Sequence, residues 1–246
     1  MGKTVLQIGN AAASACGLPQ QTTLNGNTNQ NAVRILQSVK DAAGRDVFRG
    51  QDWVSLQIEH TFATTGATSY DEIPSDFDRL INGTLWDRTN ERPLVGPVTA
   101  QQWQRYESGL DGLTGLTLLF RIASGYFLGT THIDKVIKIY PTTSTGQTIA
   151  FEYISNEYVL DIAGAKKDAV DADTDTFLFD DDLVEVAATW RLLRNLGMTY
   201  ADERIEFETL MDERSSNDGG AGSLSMQLRS TWQIRDPNVP DTGYGA

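Results

Sequence analysis

Apolar residues recur with a helical period at both ends of this chain and with a period of two in its middle, and that double change limits the folds open to it. Near the start, Val5, Ile8, Ala12 and Cys16 share one helical face, and Gly17-Leu18-Pro19 predicts a stop. A second helix is expected over residues 29–43, with Ala32, Ile35, Leu36, Val39 and Ala43 inward and Gly44 placed to end it. The polar stretch between them is short enough for an antiparallel pair. At the other end, Leu183, Val186, Ala187, Trp190, Leu193 and Leu196 repeat closely at 3.6 residues. Asp180, Asp181 and Asp182 stand where carboxylates cap free amides, Gly197 is a stop, and residues 200–214 form a further amphipathic pattern.

Between these ends the period is two. Val54, Leu56, Ile58 and His60 alternate with Trp53, Ser55, Gln57 and Glu59, which predicts a half-buried strand over 53–60. Further strands are expected at 116–122, 135–140 and 147–154, with Ile149, Phe151 and Tyr153 on one face of the last. Pro141 and Gly146 bracket a turn that predicts a hairpin between the last two. Residues 71–108, rich in Pro, Asn, Asp and Trp, are expected to be a long loop carrying a short helix at 100–107. The fold class is therefore α+β: a helical bundle from the N- and C-terminal helices (residues 1–50 and 178–215), with a central antiparallel β-sandwich or barrel-like insertion (51–177). Ser215 to Ser223 reads as a flexible linker into an extended C-terminal tail, so that residues 216–246 form a third part.

Charge narrows the function. The 246 residues carry 33 Asp and Glu against 20 Lys and Arg, a net −13, which argues against gripping nucleic acid or an anionic membrane. The single cysteine, Cys16, forms no internal disulfide, and no apolar run approaches a membrane span. Gln7 and Asn10 interrupt the apolar start, so a packed helix is expected there instead of a signal peptide, and the chain reads as soluble and cytoplasmic.

Catalytic constellations are sparse. His60 and His132 lie far apart, each without a second ligand at metal spacing, and Cys16 sits on an apolar face as a small buried residue. Asp171, Asp173, Asp175 and Asp182 have some of the spacing of a calcium loop. Thr176 stands where that loop requires Gly, however, so the expectation is no metal and no cofactor. The stretch from Tyr70 to Trp103 mixes aromatic anchors, Asp and Arg partners and Pro/Gly turns. It is read either as a loop packed on the β part by Phe77 and Trp86 or as a contact surface.

That stretch resembles the head-to-tail adaptor proteins of tailed bacteriophages, a group that includes the head-completion and tail tubular protein A-like proteins of short-tailed phages. The motifs that carry the resemblance are Pro74-x-Asp76-Phe77-Asp78-Arg79, Trp86-Asp87-Arg88-Thr89-Asn90 and Pro93-Leu94-x-Gly96-Pro97, followed by Phe151-Glu-Tyr-Ile-Ser155-Asn156 and Ala172-Asp-Thr-Asp-Thr176 leading to Trp190-Arg191. They fall in order between residues 70 and 214. The resemblance implies a structural virion protein of the neck, assembled in the host cytoplasm: a twelve-copy ring that joins the portal protein to a tail nozzle or other tail protein. DNA would pass through it without specific binding, and no membrane is involved. On this reading Phe77, Arg79, Trp86, Asp87, Arg88 and Trp103 form the contact loop for a tail protein or a neighbouring subunit. Leu224, Met226, Leu228, Trp232 and Ile234, alternating beyond the linker, form a tail that orders on the portal. The alternatives are a virion-associated cell-wall hydrolase acting through a carboxylate pair and a calcium-dependent or carbohydrate-binding module.

Overall fold

The computed structural model describes residues 2–67, 69–70, 72–109, 117–128 and 131–219, with the side chains of 124–134 outside the described set. Helix α1 (Val5–Ala15) opens on a reciprocal cap, in which Thr4 Oγ1 accepts from the Gln7 amide and the Gln7 side chain accepts from the Thr4 amide. The next free amides, of Val5 and Leu6, donate to the carbonyls of Asp175 (2.8 Å) and Asp173 (3.1 Å). A loop from late in the chain thus completes the start of its first helix. Helix α2 (Gln30–Asp41) packs against α1, where Gly9 leaves room for Leu24 and Ile35.

Gly44 does not end that helix. The chain continues through a π-helical stretch (Ala42–Val47) into the single turn α3 (Phe48–Gly50). The absent Cβ at Gly44 serves a close approach instead, since a Cβ there would stand 2.9 Å from Tyr158 Oη. The widened turn presents Asp46 to Arg191, whose Nη2 donates at 2.6 Å, with Asp41 at 3.7 Å behind it.

Helix α5 (Asp181–Leu196) is central. Asp180 caps it through the Asp182 amide, Gly197 closes it at φ 73°, and α1, α2 and α6 (Ala201–Asn217) pack around it. Helix α6 buries only Phe207 and runs past Ser215, where the linker was expected to begin, because no breaker precedes Gly219. Helix α4 (Ala100–Glu107) forms where expected, capped by Thr99 and Gln102.

The large sheet contains β1 (Gln57–Ala63), β2 (Ser69–Tyr70), β3 (Phe77–Leu80), β4 (Trp86–Asp87), β5 (Arg92–Val95), β6 (Leu118–Leu128), β7 (Thr131–Tyr140) and β8 (Thr148–Ser155). Its order is β1-β8-β4-β5-β6-β7-β2, with β3 also on β8, and every pair except β5–β6 is antiparallel. Phe62 and Tyr70, on the two end strands, have ring centroids 5.4 Å apart, so the sheet curls into a half-barrel around the aromatic cluster of Phe62, Phe77, Phe151 and Tyr153. A second sheet, ordered β10-β9-β11, joins β9 (Val159–Leu160), β10 (Lys166–Lys167) and β11 (Thr176–Phe177) and packs into the helical core through Val159 and Phe177.

Three further expectations change. The strand expected from Trp53 begins at Gln57: Val54–Leu56 is a 3-10 turn, and Trp53 sinks into the helical core, its Nε1 donating to Val47 O at 2.8 Å. The stretch after residue 71 is not a loop but supplies β3, β4 and β5, because Phe77, Leu85 and Leu94 each bury into the curl. The expected hairpin of the 135–140 and 147–154 strands does not form. Strand β7 pairs with β6 and β2, while β1 takes one edge of β8 and β3 and β4 take the other. The Pro141-to-Gly146 turn is instead a corner locked to the one after β1. The Thr64 amide donates to Gln147 O (2.8 Å), Thr64 O accepts from the Gly146 amide (2.7 Å), and Tyr70 Oη lies 3.0 Å from Thr143 Oγ1.

Candidate interaction site

Strand alternation divides the expected contact loop. Trp86 and Asp87 are neighbours on β4, so one side chain must face out and the other in. Trp86 is 41% exposed, while Asp87 is fully buried. The Asp87 carboxylate accepts from the amides of Thr89 (3.1 Å) and Asn90 (3.2 Å), from Asn90 Nδ2 (2.7 Å) and from Arg92 Nε (3.2 Å), and so holds the β4–β5 turn. Phe77 and Trp103 are buried as well, Phe77 beneath the Lys135 ammonium (4.7 Å to the ring centroid) and Trp103 edge-on to Tyr140. Arg79 ties the sheet to the helices: it donates to Asp52 (2.7 Å), Asp78 (2.7 Å) and Gln51 O (3.0 Å) and covers the Phe48 ring. Of the six residues, Trp86 and Arg88 remain on the surface with room for a partner.

Those two line a shallow hollow of about 250 Å³ with Glu59, Thr84 and Glu152. Arg88 pairs with Glu59 at 2.7 Å, and Glu59 stands directly opposite Glu152 across β1 and β8. Neither Glu was singled out from the sequence. Only the pairing register brings them together, and each taken alone is an ordinary polar position on a strand. A second hollow of about 540 Å³ lies at the start of α6, lined by Tyr200, Arg204, Ile205 and Glu208, with Ile205 61% exposed.

The Asp-rich loop is a structural knot. Asp175 accepts Lys167 Nζ (2.9 Å) and the amides of Asp171 (3.0 Å) and Ala172 (2.9 Å), and Lys167 also contacts Asp171. Asp173 takes the amides of Leu24 (3.0 Å) and Asn25 (2.8 Å), and Asp182 pairs with Lys3 (2.7 Å). Asp171 and Asp175 thus share Lys167, while Asp173 and Asp182 turn to other partners. Among the described residues no group of three or more His, Cys, Asp and Glu could hold a metal ion. His60 lies between the rings of Phe62 and Phe151, and His132 falls on β7 with its side chain outside the described set. Burial pushes the Cys16 thiol up to about 11, as suits a core residue and not a nucleophile.

Glu59 and Glu152 are two carboxylates that line one hollow. Here the hollow is open, and Glu59 is half exposed and paired with Arg88. Among the described residues no helix is long and apolar enough to cross a membrane. Leu224, Met226, Leu228, Trp232 and Ile234 lie outside the described residues.

The chain is thus an acidic α+β protein with a helical core and a curled sheet that presents Trp86 and Arg88 at its surface. The model of the SU10 adaptor protein family matches residues 4–239, so the chain belongs to that family: it is a bacteriophage adaptor protein, a virion component. No curated protein matches the sequence.

Proposed function

We propose that this adaptor is of the head-completion, tail tubular protein A-like type: twelve copies form a ring in the neck of the virion, joining the portal protein to a tail nozzle or other tail protein and forming part of the DNA channel. The observation that carries the reading is the family match over residues 4–239, which takes in the helices, the curled sheet and most of the C-terminal stretch. The helices supply a rigid wall, since α5 is packed on several sides and Arg191 clamps it to the widened end of α2. The sheet faces tail proteins through the surface around Trp86 and Arg88. The tail residues Leu224, Met226, Leu228, Trp232 and Ile234 engage the portal.

The net charge of −13 suits this placement. Exposed Asp202, Glu206, Glu208, Asp212 and Glu213 make α6 a dense run of carboxylates. A surface of this sign repels phosphate, so DNA slides along it instead of being held. Particle imaging of the chain mixed with its portal protein tests the reading directly. A ring docked on the portal is expected, and a chain ending at Gly222 should lose that docking. Undiminished portal binding by the shortened chain would overturn the role of the tail, and the lack of any portal association by the full chain would overturn the placement.

A further inference from the structure

Strand β1 ends the strand order, so only one of its edges is paired. The bonds of Thr64 to Gly146 and Gln147, in register with the β1–β8 ladder, fix the phase. Even-numbered residues bond to β8, and the backbone groups of Gln57, Glu59, Thr61 and Ala63 point away from it. The Gln57 amide turns back to Val54 O, and among the described residues no strand pairs with the edge groups of Glu59, Thr61 and Ala63. The described chain ends beside it. Asp218 Oδ2 accepts the Val54 amide at 2.8 Å, and Gly219 lies against Val54 Cγ2, just before β1 begins.

The residues after Gly219 have a pattern that suits such an edge. Leu224, Met226, Leu228, Trp232 and Ile234 all fall on even positions, while Ser225, Gln227, Arg229, Thr231 and Gln233 fall on odd ones, the pattern of a strand with one apolar face. Pro237 ends the pattern where a ladder would stop. Between residues 220 and 235 the charged residues are Arg229 and Arg235, with no carboxylate. On the outer face of β1 and β8, Glu59 stands opposite Glu152 with Arg88 paired to Glu59, so two carboxylates face one cation and a second cation is favoured there. Reach is sufficient, because the extended chain from Gly219 to Leu224 spans up to about 17 Å.

We propose that residues 224–234 of this chain add to the free edge of β1 as a parallel strand. The apolar face continues the interior of the curled sheet, and Arg229 lies on the acidic side of Glu59 and Glu152. This goes beyond the adaptor reading, because it gives the segment assigned to the portal a resting place on its own subunit.

Residue-resolved hydrogen exchange on the full chain, on a chain ending at Gly222 and on a full-length Met226→Pro, Leu228→Pro variant tests the pairing. The prolines remove ladder donors without removing the tail. The amides of Glu59, Thr61 and Ala63 should exchange at least about tenfold faster in both variants, while Ile58, His60 and Phe62 keep their protection. Equal rates at Glu59, Thr61 and Ala63 in all three proteins would overturn the proposal. Protection in the full chain that vanishes on dilution would overturn it too, assigning the edge to the tail of a second copy. Portal binding is read separately: its loss with β1 protection intact counts against the portal assignment alone, and the reverse counts against this pairing alone.

Discussion

Replacing Asp175 by asparagine is expected to cost the fold about 2–3 kcal/mol at neutral pH. The side chain is 1% exposed and accepts Lys167 Nζ at 2.9 Å together with the amides of Asp171 and Ala172. Hydrogen bonds to a charged group contribute about 1.5–3 kcal/mol each, whereas neutral ones contribute about 1 kcal/mol. Asparagine keeps the shape and one carbonyl oxygen for the amides, but it loses the charge and turns an NH2 group on Lys167. The loss is limited because Lys167 is 23% exposed and can turn toward water. The effect should reach α1, whose Val5 amide is held by the Asp175 carbonyl.

Urea unfolding followed by circular dichroism, repeated from pH 7 downward, measures this and gives the comparison a sign. Burial by itself would raise the Asp175 pKa, but Lys167 and the two amides outweigh it and hold the carboxyl below its ordinary range. Its stabilisation is therefore fully present above the unfolded value of about 4 and is lost as pH falls through the lower folded value. The gap between the native protein and Asp175→Asn should be full at neutral pH and shrink only below about pH 4. A gap under about 0.5 kcal/mol at neutral pH, or one unchanged down to about pH 2, would refute the reasoning.

Two further outcomes come from packing. Gly9→Ala gains about 1 kcal/mol of helix propensity. The new Cβ would stand 2.6 Å from Leu24 Cδ1 and 2.9 Å from Ile35 Cγ2, and overpacking of this kind costs about 1–3 kcal/mol, so urea unfolding should show net destabilisation. A more stable variant would mean that α1 and α2 are less tightly apposed than these distances require. Alkylation of Cys16 at pH 8 should be slower in the native protein than in urea by on the order of a hundredfold, because the buried thiol is raised to about 11. Equal rates would contradict its burial.

Local chemistry sets the helices and their order, and the sequence shows both. The cap at Asp180, the apolar stripes of the helices and the stop at Gly197 are written within a few residues of where they act, and the same local chemistry caps α1 at Thr4 and α4 at Thr99. Gly44 misled because a glycine that ends a helix and one that admits Tyr158 look the same until the neighbour is known. The motifs between residues 70 and 214 pointed to the adaptor class that the family match shows.

Strand pairing is settled by the tertiary structure alone. Period-two alternation says which residues share a face but not which strand lies alongside, so β8 could be seen as a strand but not as the partner of β1, β3 and β4. The same register sends Trp86 outward and Asp87 inward, and it sets Glu59 against Glu152. The Asp-rich stretch shows the same division. Its spacing matches part of a calcium loop without the required Gly, but it does not show that its carboxylates serve Lys167, Leu24, Asn25 and Lys3, because backbone amides and distant side chains meet only when the chain has closed on itself.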